Sequence, residues 1–483
     1  MELSADLNQA PDPIRHIHIM GICGTGMAAL AGMLKSSGYS VTGSDKAVYP
    51  PMSLFLDGIG IHPMDGYGEE NLNPRPDLVI VGNVITRKNP EAIALAHAKI
   101  PYLSFPQALA HFFIKSRTSL VVTGTHGKTT TSSLLASCLH QAGLDPTFMI
   151  GGIVRDFDAN FHLGTGPHFV SEGDEYDTAF FDKESKFLHY RPDIAIITSV
   201  EFDHADIFAD LDAIKRSFKK FVSLLPANGL IVAHLEDANV AEVVQQAPCE
   251  VQGYGFDKSL DWSLAEVHAE GGSTRFKARF QGQEWADLTV RLPGRHNCLN
   301  SLAVAAVLHR IGVSPNLTKQ GLSQFGGIKR RQEVRGIVNT ITVIDDFAHH
   351  PTAVRETLQA LKAAYAGQRL ITIFEPRTNS SRRAIFQQDY IPCFDSSDLT
   401  LIREPMPLDG IPEKDLFSAQ QLAKDLMTRG LQAQSCPDTD TILDRLLPLL
   451  QPNDVVAILS NGGFDNIHAR LLVELEKKSP ENL

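Results

Sequence analysis

The sequence predicts an α/β fold in three domains, the first and last Rossmann-like and the central one P-loop ATPase-like with a mostly parallel sheet. Three observations predict it. The 483-residue length accommodates about three domains of ~150 residues each. Apolar, β-branched runs repeatedly end in a glycine turn and pass into apolar residues at helical spacing. Two of those turns, at residues 21–26 and 124–129, are glycine-rich in the way that receives phosphate oxygens at a helix N-terminus.

Composition narrows the class. The chain is 43% hydrophobic and 21% charged, ordinary values for a globular protein. A net charge of −12 argues against a general nucleic-acid binder, whose footprint is basic. An anionic ligand must then be held by local lysines, arginines and helix ends. Residues 1–13 are polar and acidic, unlike a signal peptide, and no window approaches the ~18 apolar residues of a membrane span. Six scattered cysteines without metal-finger spacing read as reduced thiols. The expectation is a cytoplasmic protein with neither membrane nor nucleic acid as partner, and no feature sets an oligomeric state.

The first domain is expected over residues 1–115. Residues 15–20 alternate, with Ile17 and Ile19 on one side, and run into Gly21-Ile-Cys-Gly-Thr-Gly26. Met27, Leu30, Ala31 and Leu34 recur at helical spacing until Gly38, and a second strand leads to Asp45. Gly24-x-Gly26-x-x-Ala29 with an acid about 20 residues on fits the dinucleotide fingerprint. Alone it reads as a nicotinamide dehydrogenase, or as a tight turn needing glycine for positive φ. Further strands are expected at 78–81 and 100–103, then a helix and connector over 105–119.

The central domain is expected over 116–334. Its strand gives way to Gly124-Thr125-His126-Gly127-Lys128-Thr129-Thr130, then a helix carrying Leu134, Leu135, Cys138 and Leu139 on one face. Turn N–H groups and the helix N-terminus face an anion, Lys128 adds charge, and the Thr129 hydroxyl can reach Mg²⁺. Val122 stands where the general G-x-x-x-x-G-K-[ST] pattern has glycine, so this is a shorter loop than the usual one. The plain reading is a strand-to-helix turn with an exposed lysine. Downstream, a strand end carries Glu172, Asp174, Glu175 and Asp177. A second buried-type strand leads into Glu201-Phe-Asp-His204-Ala-Asp206. Carboxylates and an imidazole at strand ends beside a phosphate loop have metal-ligand chemistry. Gly294-Arg-His-Asn297-Cys-Leu-Asn300 opens an alanine-rich helix; Asn297 either meets a ligand or caps that helix. Ile328-Lys-Arg-Arg331 suits phosphate contact or a solvated linker.

The last domain is expected over 335–483. Strands end in Asp345-Asp-Phe-Ala-His349-His-Pro351, in Glu375-Pro-Arg377, and in Ser460-Asn-Gly-Gly463. Polar residues at the carboxyl ends of such strands make a ligand crevice. Asp345, Asp346 and His349 could cap helices or touch ligand.

The order of these motifs, from the glycine-rich first turn through Gly-Thr-His-Gly-Lys-Thr, the strand-end glutamate, Asp-His-x-Asp, Gly-Arg-His-Asn-x-x-Asn and Lys-Arg-Arg to Asp-Asp-Phe-Ala-His-His-Pro, resembles the Mur ligase family over nearly the full chain. The resemblance implies ATP- and Mg²⁺-dependent amide formation on UDP-N-acetylmuramate through an acyl phosphate. Glu172-Gly-Asp-Glu-Tyr-Asp, Ser44-Asp-x-x-x-Tyr-Pro-Pro-Met52 and Ser460-Asn-Gly-Gly-Phe464 are similar to the branch that reattaches the recycled murein tripeptide L-alanyl-γ-D-glutamyl-meso-diaminopimelate. The alternative is the branch that adds L-alanine. By resemblance, Lys128, His204 and Arg331 are catalytic. Gly124, Thr125, His126, Gly127, Lys128, Thr129, Thr130, Asn297, Arg331, Asp345 and His349 bind the nucleotide, and Thr129, Glu172 and His204 hold metal. Gly24, Thr25, Gly26 and Asp45 surround the UDP-sugar, while Arg377 meets the peptide on charge and position alone. Some sister ligases carry a carbamoylated lysine; Lys219 has that spacing but is expected to be unmodified.

Overall fold

The computed structural model describes residues 3–205, 207–270, 272–408 and 410–477. Asp206, the last acid of the Asp-His-x-Asp stretch, lies outside the described residues. The chain forms two compact units, one of residues 1–153, 157–200 and 212–253, the other of 154–156, 201–211 and 254–483.

In the first unit a five-stranded parallel sheet runs in the order Met64–Asp65, Ser40–Asp45, His16–Met20, Leu78–Val81, Tyr102–Ser104. The central strand His16–Met20 looks half-buried in sequence, yet residues 17–20 are all buried. The reason is His18, whose Nε2 lies 2.8 Å from Glu91 and Nδ1 2.9 Å from Thr42 Oγ1. A satisfied histidine fills a core position that alternation assigns to solvent. The 105–119 segment resolves into the helix Phe105–Leu109, opened by a Ser104/Gln107 capping box, a π-helical turn Ala110–Ile114, and the start of the next strand at Thr118.

That strand, Thr118–Thr123, lies inside a second sheet. Around it the order is Leu230–His234, Ile194–Ile197, Thr118–Thr123, His168–Gly173, Thr147–Val154, Ala159–His162. It pairs in parallel with both neighbours, and residues 119–123 are all buried, so side chains on both faces are covered and the apolar run Leu120–Val122 is continuous.

In the second unit the strands Trp262–Glu270, Ser273–Phe280 and Gln283–Val290 form an antiparallel meander. A six-stranded sheet follows, in the order Glu333–Val338, Ile341–Asp346, Val455–Leu459, Leu370–Phe374, Leu399–Arg403, Ala433–Cys436. Its first pair is antiparallel and the rest parallel. Helices Pro351–Ala364 and Ala419–Thr428 bury Val354, Leu358, Leu422 and Leu426 in one core; Thr439–Leu446 and Ile467–Lys477 bury Ile442, Leu446, Ile467 and Leu471 in another.

Candidate active site

The loop at the end of Thr118–Thr123 is held by the neighbouring strand's extension. Thr125 N–H donates to the Ser199 carbonyl at 2.9 Å, His126 N–H to Ser199 Oγ at 3.0 Å, and Thr198 Oγ1 to the His126 carbonyl at 2.5 Å. Gly124 has φ 134°, and a Cβ there would stand 2.1 Å from Thr198 Oγ1. Only glycine fits. Gly127 is the N-cap of the helix Lys128–Gln141 at φ 79° and offers no capping side chain, the form in which a helix end receives phosphate.

Lys128 Nζ reaches back to the Gly124 carbonyl at 2.7 Å and to Glu175 at 3.1 Å. Burial would lower this ammonium's pKa, but Glu175, Asp174 and Glu172 outweigh burial and leave it raised. Lys128 is therefore a fixed cation, and it is not the exposed lysine of the plain reading. Thr129 follows it, buried, in the helix's first turn. Glu172 stands opposite Val122 in register, its Oε1 accepting the Gly151 N–H at 2.8 Å. A hydroxyl in the helix's first turn and a carboxylate at the adjoining strand's end match the all-oxygen preference of Mg²⁺, and the closed-up Gly124 matches a loop that brings backbone near an anion. The residues present fit a Mg²⁺–nucleotide.

At the first unit's other glycine turn, Gly24 caps the helix Thr25–Ser36. Positive φ falls on Gly21 and not on Gly24 or Gly26; Gly26 instead faces the Phe105 ring, where a Cβ would stand at 3.6 Å. Asp45 accepts the Cys23 N–H at 2.8 Å, so it braces this turn. Beside it, burial and the Asp45 charge push the Tyr67 phenol up to about 12.

In the second unit His204 sits at φ 56° next to buried Asp203. Burial alone would raise the Asp203 carboxyl, but His204, His349 and His350 together with the His204 N–H hold it at about 2. His350 caps the helix Pro351–Ala364 through the Thr352 N–H, and Thr352 Oγ1 donates to Glu201 at 2.7 Å. The Tyr390 hydroxyl donates to the His349 carbonyl.

Arg331 lies over the Phe347 ring at 4.6 Å, beside buried Asp346, whose carboxylate accepts the Gln332 and Ala348 N–H groups at 2.7 and 2.8 Å. Asp345 faces Arg330, Arg335 and His468 at 3.5, 3.3 and 3.3 Å. Both acids thus brace the strand end. Asn297 is not the helix cap; Gly294 is. The buried Asn297 amide donates to the Pro293 carbonyl at 2.7 Å and accepts from Asn300 at 3.3 Å. Arg377 is exposed, 3.8 Å from Glu375, and its stem packs where a Gly462 side chain would be.

The Mur ligase family catalytic domain matches residues 16–117, the Mur ligase middle domain 122–308, and the Mur ligase glutamate ligase domain 330–462. The chain is 39% identical to the UDP-N-acetylmuramate–L-alanyl-γ-D-glutamyl-meso-2,6-diaminoheptandioate ligase of Escherichia coli, over 96% of this chain and 99% of that one. The chain belongs to the Mur ligase family. A murein peptide ligase from Psychrobacter arcticus superposes with TM-score 0.70 at 36% identity, covering 96% of this chain and 99% of that structure. The UDP-N-acetylmuramate–L-alanine ligase of Geobacter sulfurreducens is 33% identical over 96% of this chain and 98% of its own.

As a Mur ligase the chain is an ATP-dependent amide-forming enzyme. In the sequence Glu175 is one acid among four, and no motif marks Thr198 or Ser199 as part of the loop. Glu175 is two residues past the end of its strand, and only tertiary structure brings it to Lys128. For Thr198 and Ser199 the available signal was a hydroxyl pair closing an otherwise wholly apolar strand.

Proposed function

We propose that this enzyme joins L-alanyl-γ-D-glutamyl-meso-diaminopimelate to UDP-N-acetylmuramate with ATP, giving ADP and phosphate. The observation that carries the reading is full-length similarity, 39% identical, to a ligase named for that peptide, against 33% for an L-alanine ligase. Three domains, 1–115 for the UDP-sugar, 116–334 for ATP and 335–483 for amine and nucleotide contacts, divide the work. Its place is the cytoplasm; among the described residues no helix is long and apolar enough to cross a membrane.

The chemistry sets what the residues must do. A muramate carboxylate oxygen attacks the γ-phosphorus, the bond to the β-phosphate oxygen breaks, and ADP leaves. The peptide amine then attacks the acyl carbon, loses a proton, and inorganic phosphate leaves. Bringing a carboxylate to ~4 Å from a phosphate costs roughly 4 kcal/mol at an effective dielectric near 20. Lys128, held charged by its carboxylate neighbours, offsets that repulsion. Gly124, Thr125, His126, Gly127 and Thr130 form the loop around the phosphates. Thr129 and Glu172 hold Mg²⁺ and His204 a second metal; bound metal neutralises phosphate charge. Asn297 meets the adenine side, Arg331 the phosphates, and Asp345 with His349 shape the nucleotide edge. Gly24, Thr25, Gly26 and Asp45 receive the UDP-sugar, and Arg377 the peptide.

A product assay tests this. With ATP and UDP-N-acetylmuramate, the tripeptide gives ADP and the muramoyl tripeptide, and L-alanine gives neither. Turnover with L-alanine and none with tripeptide refutes the assignment.

A further inference from the structure

Arg377, Arg382 and Arg383 stand on one tight turn of the second unit, and among the described residues only Glu375, 3.8 Å from Arg377, comes within ion-pair distance of any of them. The turn follows the strand Leu370–Phe374. The Thr378 hydroxyl accepts the Ser381 N–H at 3.0 Å, the Thr378 carbonyl accepts the Arg382 N–H at 3.1 Å, and the Ser380 carbonyl accepts the Arg383 N–H at 3.1 Å. The neighbouring acids are engaged elsewhere. Glu375 takes Arg403 at 2.7 Å and the Ser460 hydroxyl at 2.5 Å, with Arg377 more distant at 3.8 Å. Asp465 takes Arg403 at 3.0 Å and the Thr439 hydroxyl at 2.7 Å.

Among the described residues the Arg382 guanidinium bonds to neutral oxygens alone, the Met406 carbonyl and Asn379 Oδ1, both at 3.3 Å. The Nε atoms of Arg382 and Arg383 are buried with no hydrogen-bond partner. Among the described residues neither arginine has a carboxylate at ion-pair distance. Burial lowers the Arg382 pKa and the nearby Arg377 charge lowers it further. In a chain of net charge −12, two half-buried guanidinium groups without a carboxylate partner are unfavourable until an anion arrives. The turn also adjoins the histidine loop, since Ser380 Oγ accepts the Ala205 N–H at 3.3 Å, one residue from His204.

We propose that Arg382 and Arg383, with Arg377, clamp the carboxylates of the incoming peptide and set the choice of amine donor. This rests on the ligase reading above. The tripeptide carries three free carboxylates, one on its D-glutamyl residue and two on diaminopimelate, whereas L-alanine carries one. Arginine suits the task because its planar fork binds a carboxylate through two parallel bonds. A lone L-alanine leaves most of this charge unanswered.

The test uses the full-length enzyme with ATP, UDP-N-acetylmuramate and either the diaminopimelate tripeptide or its L-lysine counterpart, which lacks one carboxylate. Arg382→Gln and Arg383→Gln each raise the tripeptide KM about tenfold or more, the loss expected for a charge-assisted bond. The KM values for ATP and UDP-N-acetylmuramate hold. At least one of the two substitutions penalises the lysine peptide less, because one carboxylate is already missing. Arg382→Lys restores part of the affinity, which separates charge from folding, and melting curves exclude unfolding. If both peptides lose equally under both substitutions, or neither loses, the clamp is wrong while tripeptide turnover by the unmodified enzyme keeps the ligase assignment. If the unmodified enzyme takes L-alanine and not the tripeptide, both fall.

Discussion

The Lys128 ammonium stands 3.1 Å from a carboxylate oxygen of Glu175, with the two side chains only 12% and 2% exposed. Glu175 is thus the counter-ion of the lysine proposed above to face the phosphates. Removing one partner of a buried pair costs roughly 3–5 kcal/mol. Glu175→Gln is expected to lower unfolding free energy by about 3 kcal/mol. The folded pKa of Lys128 is raised, so this contribution is fully present below the unfolded lysine value and fades only as pH rises through the folded one. Denaturant titrations between pH 6 and 9 should therefore show a constant deficit. Mg²⁺–ATP, by supplying the missing anion, should raise Tm more in the variant than in the unmodified enzyme; equal shifts would sink the idea. Lys128→Ala should keep the fold but cut ADP formation about a thousandfold.

Gly124 is the second point at which the loop is constrained. At φ 134° with a built Cβ 2.1 Å from Thr198 Oγ1, Gly124→Ala must move either the loop or the strand extension that anchors it. Because the Gly124 carbonyl also accepts from Lys128, the lysine moves with it. ADP formation is expected to fall at least about a hundredfold, with a change in Tm no larger than that of an ordinary core substitution. Activity within about threefold of the unmodified enzyme would show that the loop tolerates a side chain.

These two constraints mark how far the sequence could be read. The cradle was legible because strand, glycine turn, lysine, hydroxyl and helix are contiguous, so local rules suffice. The place of Glu172 beside the loop strand was legible because strand ends in a parallel sheet converge. Glu175 and Ser199 were not, because their contacts depend on pairings 47 and 73 residues apart. The alternation of His16–Met20 marks the strand but not the burial of its second face, because buried His18 is polar in sequence and satisfied only by Glu91 and Thr42. The meander Trp262–Val290 and the strands Leu399–Arg403 and Ala433–Cys436 went unread, since their interrupted apolar patterns are settled by neighbouring strands.

The same histidine motivates a test in the first unit. Glu91 is fully buried and accepts from Ser44 Oγ and Asn71 Nδ2, both at 2.7 Å, while facing His18 at 2.8 Å. Burial would raise its pKa, but those hydrogen bonds lower it on balance. Glu91→Ala strands His18 and frees the segment ending at Asp45, and is expected to cost about 3 kcal/mol and to raise the KM for UDP-N-acetylmuramate. The double variant with His18→Leu should be less than additive. Full additivity in denaturant titrations would mean that the two side chains act independently.

His296 predicts an acid-side weakness. Burial lowers its pKa to about 4, and the ring is 28% exposed. A histidine held neutral in the folded state stabilises fully above the unfolded value, near 6.5. That contribution is lost as pH falls from there through about 4. The loss is on the order of 1–2 kcal/mol once partial exposure is allowed for. Urea midpoints should decline between pH 6.5 and 4, and His296→Gln should flatten that decline. A variant that declines as steeply assigns the effect to another group.

Lys219 supplies a negative prediction. Its Nζ lies 2.7 Å from Glu242 Oε1, while Lys215 takes Oε2 at the same distance. Hydrogen bonds from these two lysines hold the Glu242 carboxyl down at about 2. The Lys219 amine is already engaged with that carboxylate, and attack on CO₂ would have to break the pair. Carbamoylation would also replace a cation by an anion facing Glu242. The intact protein is therefore expected to show no added CO₂, and Lys219→Ala to keep kcat within about threefold, because the exposed pair contributes little. Loss of activity in Lys219→Ala that is rescued by added acetate or another small acid would instead identify a carbamate, and would place this chain with the sister ligases that depend on one.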